Sequence, residues 1–164
     1  HSSHPNLGSV GIQLMTFKGR TVKRFISVAI SVAILAAMVS AQAAYQPKFK
    51  GDPARSDSEA AALGYMRTFL RAQKIYKKKN GHYATTLMEL SKTGSFTRRM
   101  AGSTDRGDYT VKFRAHKEKD TFEVSMLPKQ QDSTHRSFFS DEQGKIRADE
   151  TKEADQSSEA LRAD

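Results

Sequence analysis

The sequence predicts an α+β domain in which a long N-terminal amphipathic helix packs on a three- to four-stranded antiparallel sheet. Two observations carry that reading. Ser56 to Asn80 keeps one helical period between a start signal and a stop signal, while Tyr109 to Arg147 alternates apolar and polar residues in short runs broken by turn residues. A helix with one apolar stripe and a sheet with one apolar face are expected to bury each other.

The helix is predicted from its ends and its period. Ser56 and Glu59 spell a capping box, with the hydroxyl taking an orphan amide and the carboxylate reaching back to the amide of the cap residue itself. Asp57 sits at the positive end of the helix dipole, and Lys77, Lys78 and Lys79 at its negative end. Asn80-Gly81 supplies a residue tolerant of positive φ just past the last turn. The span is roughly 23 residues, or about 35 Å. At about 100° per residue, Ala62, Tyr65, Met66, Phe69, Ala72, Gln73 and Tyr76 share one side, and Arg67, Arg71, Lys74 and Lys78 form a narrow stripe opposite.

Beyond Gly81, a turn and a short helix are expected up to Leu90, capped by Thr85 or Thr86, with Leu87 and Leu90 inward. Ser91 to Gly107 reads as loop. Tyr109, Val111 and Phe113 mark one half-buried strand, and Phe122, Val124 and Met126 a second after a turn at His116 to Asp120. Pro128 ends it, and Gln130 to Thr134 is a polar loop. Ser137 to Ser140 and Lys145 to Arg147 flank the turn Asp141-Glu142-Gln143-Gly144. Ala148 to Asp164 is polar, acid-leaning and expected to be disordered.

The 164 residues allow one modest domain, expected at 56–147 after a linker at 45–55. The 27 Lys and Arg outnumber 18 Asp and Glu by nine, but Lys18, Arg20, Lys23 and Arg24 all precede the first acid, Asp52, so the rest carries about +5. That is a basic domain without a polycationic tail. Cysteine is absent, which excludes disulfides, thiol catalysis and Cys-based zinc sites. His1 to Leu14 reads as an upstream extension, with translation expected from Met15. The basic run Lys18 to Arg24, the apolar run Phe25 to Ser40 and Ala41-Gln42-Ala43 then follow secretory signal order. Residues 15–44 are thus expected to be a signal peptide or, uncleaved, a membrane anchor, since Phe25 to Ala44 carries no charge over about 20 residues.

Glu59-Ala60, Ala62, Gly64, Arg67-Thr68, Ala72-Gln73 and Tyr76, then Gly81, Tyr83-Ala84 and Leu87, resemble the second half of the long helix and the following loop of type IV pilin-like proteins and type II secretion pseudopilins. Arg136 to Arg147 resembles the closing hairpin of many such domains. The sequence departs from that pattern at its start. Gly19 is followed by Arg20, no acidic residue interrupts the apolar stretch, and Pro47 and Pro53 break helical continuity. The resemblance therefore implies the globular domain without the usual assembly module.

Arg67, Arg71, Lys74 and Lys78 are the candidate interaction face, because cations at that spacing follow an acidic surface or a phosphate backbone. A solvated helix face is the plainer reading. Tyr65, Phe69 and Tyr76 point the other way, which disfavours base stacking. His82, His116 and His135 lack metal-pair spacing, and Ser137 and Ser140 lack a nucleophile setting. Asp141 and Glu142 are placed like the calcium loop of some pseudopilins, but the spacing is that of an ordinary turn, as is Arg106-Gly107-Asp108. No catalytic residue, cofactor or metal is expected. The expectation is an exported, non-enzymatic module in the periplasm or outside the cell, working on a protein partner and accessory to a type II secretion or type IV pilus-type system. The alternative is a DNA- or polyanion-binding module on the basic helix face. Membrane attachment is expected only if residues 25–44 are retained.

Overall fold

In a computed structural model, which describes residues 44–162, the Ser56 hydroxyl accepts the Glu59 amide at 3.1 Å and opens helix α1, Asp57–Asn80. The expected extension 1–14 and the expected leader up to residue 43 lie outside the described residues. Gly81 closes α1 at φ 81°, its amide donating to the Lys77 carbonyl at 2.8 Å. Glu59 does not complete the expected box: its carboxylate takes the Arg55 amide at 2.8 Å, one residue upstream, because its other bonds are drawn to Arg136. The stretch 45–55 is a folded loop and not a free linker. Asp52 gathers the Tyr45 hydroxyl at 2.6 Å and the amides of Lys48 and Ala54, and Ala54 is buried.

Thr86 caps helix α2, Leu87–Leu90, in a capping box with Glu89, and Leu90 is fully buried. The segment expected as loop folds further than its composition suggested. A 3₁₀ turn at Ser91–Thr93 and helix α3, Arg98–Ala101, capped by Thr97, carry Phe96 into the core.

The fold is α+β with an antiparallel sheet, of six strands and not three or four. They are β1 (Asp105–Arg106), β2 (Tyr109–His116), β3 (Thr121–Pro128), β4 (Ser137–Asp141), β5 (Arg147–Asp149) and β6 (Glu159–Ala160), paired in chain order. Strands of two residues, such as β1 and β6, show no alternation in a sequence. Alternation does place Tyr109, Val111, Phe122, Val124 and Met126 on the buried face, with Phe113 partly buried. Asp120 turns β2 into β3 from the left-handed region at φ 47°.

Phe69 is the centre of the core. Its ring stands edge-on to Phe96, Phe113 and Phe122 at centroid distances of 6.2, 5.1 and 5.7 Å. The buried Gln73 amide is satisfied by one residue, donating to the Ala84 carbonyl and accepting the Ala84 amide. Leu63 and Leu70 are buried as well, so the covered arc of α1 is wider than the expected stripe, whereas Tyr76 is only half-buried.

The C-terminal stretch corrects the expectation of disorder for 148–164, as far as residue 162. Ser137 Oγ accepts the Ala154 amide at 2.8 Å and donates to the Lys152 carbonyl at 2.5 Å. Arg147 Nη1 reaches the Ser158 carbonyl at 2.8 Å, and the Leu161 amide donates to the Ile146 carbonyl at 2.8 Å. Side chains anchored on folded strands, with the Ile146 carbonyl, hold a polar segment that composition alone would leave free. The tail crosses the outer side of the sheet, so β4 is buried along its whole length.

Candidate functional site

The four predicted cations emerge as one exposed row on α1. None of Arg67, Arg71, Lys74 and Lys78 makes an ion pair among the described residues, whereas neighbouring cations do: Lys77 is 3.0 Å from Asp120, and Lys48 is 3.4 Å from Asp57. Three of the four, Arg67, Arg71 and Lys74, line a groove of about 730 Å³ between α1 and the end of the chain; Lys78 is not part of its lining.

The opposite wall is Gly144 to Ile146, in the turn between β4 and β5, together with Ala160 to Arg162. Gly144 closes that turn at φ 76°, its amide donating to the Asp141 carbonyl at 2.9 Å. Lys145 and Arg162 add two cations that sequence reading missed, and among the described residues no acidic side chain contributes to the lining. Leu63 and Leu70 from α1, with Ile146 and Leu161, make its apolar surface. The basic row is therefore one rim of an apolar groove as well as a solvated face.

Beside the row sits an aromatic that the sequence reading did not place there. Phe49, half exposed, lies under the Arg67 guanidinium, 5.4 Å from its carbon to the ring centroid. The Asp52 hub holds this loop in place. Burial works to raise the Asp52 carboxyl, but the Tyr45 hydroxyl and the two amides bring it below its ordinary range. The same hydrogen bond pushes the Tyr45 phenol up to about 12.

The other candidates are taken up by structure. Ser137 is committed to the tail, and Ser140 donates to the Lys145 carbonyl at 2.9 Å. Asp141 accepts the Gln143 amide within its turn. Arg106 donates to the carbonyls of Arg99, Met100 and Ser103 and stacks on Tyr65, while Asp108 accepts from Ser58 and faces His135 Nε2 at 3.4 Å. The Arg106-Gly107-Asp108 tripeptide is thus tied into the domain. His82 and His116 line one small cleft, of which His135 is not part, and among the described residues no three His, Cys, Asp or Glu side chains gather as a metal site. No described helix is long and apolar enough to cross a membrane.

No family model, curated protein or solved structure matches this chain.

Proposed function

We propose that this chain is an exported, non-enzymatic, pilin-like module that works by protein contact, accessory to a type II secretion or type IV pilus-type system. The observation that carries the reading is the row Arg67, Arg71, Lys74 and Lys78, four exposed cations without an ion-pair partner among the described residues. Such charges are suited to an acidic partner surface, where they steer encounter and fix register. A long helix packed on an antiparallel meander is in keeping with the pilin resemblance of Ser56 to Arg147. A second reading, binding of DNA or another polyanion, draws on Phe49 beside Arg67, since an exposed ring next to a cation is the element that base stacking needs. The apolar content of the groove favours protein contact over a phosphate backbone.

A photo-crosslinking side chain at position 78 tests the choice in the native host. Protein adducts that disappear in the R67Q/R71Q/K74Q chain are expected. Adducts to nucleic acid, with duplex DNA affinity falling in log salt by about 0.9 per phosphate contact, would replace the first reading by the second.

A further inference from the structure

We infer that the groove between α1 and the chain end is a binding site for a long-chain fatty carboxylate. The site goes beyond the protein-contact reading; it shares Arg67, Arg71 and Lys74 with that reading, but Lys78, the crosslinking position, is not part of its lining, so the two are tested apart. Leu70, Ile146 and Leu161 offer an apolar strip, with Leu63 sealed beneath, and cations stand along both sides of it. A small inorganic anion would leave the strip wet, and a neutral hydrophobe would leave the cations unused. A single-chain amphiphile with an anionic head uses both. Among the described residues no acidic side chain lines the groove to oppose that head, and Arg71, Lys74 and Lys145 are there to take it.

Size is compatible with the same class. A volume of about 730 Å³ falls within the range of about 300–1,000 Å³ usual for small-molecule sites. At Gly144 the turn and the helix side chains approach each other, since a Cβ built there would lie 4.0 Å from Lys74 Nζ. A partner helix is about 10–12 Å across with its side chains, whereas a single acyl chain is far thinner. Duplex DNA is wider still and gains nothing from the leucines.

The test uses the full chain and hexadecanoate below its critical micelle concentration, read by calorimetry and by displacement of a dansylated undecanoate probe. Saturable one-to-one binding is expected, about tenfold weaker in R71Q/K74Q and equally weakened in L161E, with hexadecanol binding at least about tenfold less tightly than the acid. Circular dichroism and the denaturation midpoint establish that R71Q/K74Q is folded, and these two surface changes carry the conclusion if L161E is not. Absence of saturable binding overturns the inference. So does equal affinity in the wild type and R71Q/K74Q, which would place the ligand elsewhere on the chain, or equal affinity for hexadecanol, which would remove the role of charge. An acidic amphipathic peptide that binds the groove while hexadecanoate fails to displace it would assign the site to a protein segment instead.

Discussion

Glu59 and Arg136, 77 positions apart, form a two-pronged ion pair inside the domain, Nε to Oε1 at 2.9 Å and Nη2 to Oε2 at 2.7 Å. Glu59 is fully buried and Arg136 nearly so. Further hydrogen bonds surround the pair. Glu59 also accepts the amides of Arg55 and Arg136, and Arg136 donates to the Pro53 carbonyl at 2.7 Å. The pair thereby ties the start of α1 to the start of β4.

Removing one partner leaves a charge buried without its counterion. Glu59→Ala or Arg136→Ala is expected to cost about 3–5 kcal/mol, and the double change E59A/R136A less than the two single losses summed. Urea denaturation of the four proteins measures this. Losses that simply add would mean that the two groups act separately.

Phe69→Ala opens a cavity among three aromatic neighbours and is expected to cost about 3–5 kcal/mol. Arg71→Ala, on the exposed row, is expected to cost less than about 0.5 kcal/mol. Equal denaturation midpoints for the two variants would contradict the assignment of helix faces.

Truncation after Asp149 removes the partners of Ser137 and Arg147. A loss of about 3 kcal/mol or more is expected from three hydrogen bonds at roughly 1 kcal/mol each, with added exposure around Ala148. Thermal melts of full-length and truncated chains check it, and a tail without structure would leave them alike.

His135 provides a pH-dependent clasp. Its hydrogen bond to Asp132 at 3.0 Å, against some desolvation, raises its pKa, while that bond and the Thr134 groups hold Asp132 at about 2. A raised histidine contributes fully below its unfolded value of about 6.5 and fades as pH rises through the folded value. A lowered aspartate contributes fully above its unfolded value of about 3.9 and fades as pH falls toward 2. The clasp is therefore strongest between about pH 4 and 6.5. An NMR titration of His135 is expected to read above its ordinary value and to drop in Asp132→Asn.

What the sequence reveals is what repeats locally. The caps of α1, the placement of Phe69 and the alternation in β2 and β3 follow from spacing alone. Glu59 reads locally as a cap residue, and nothing near it announces an arginine 77 positions on. Leu63 and Leu70 fall between the apolar stripe and the basic row, and their burial depends on loop 45–55 and the chain end closing over them. Arg67, Arg71 and Lys74 are legible as a row, but Lys145 and Arg162 join them only through tertiary structure, from a hairpin flank and a tail whose composition suggests disorder.

The margins of the sheet bear on how copies of this protein meet. β1 pairs only with Tyr109 and Thr110 of β2, so among the described residues the outer edge of β2 from Lys112 to His116 has no strand beside it. That stretch carries Lys112, Arg114 and His116, and charged side chains on an open edge blunt the addition of a strand from a second copy. The exposed row on α1, with its like charges, likewise repels an identical row. Such a surface favours a different molecule over a second copy of itself.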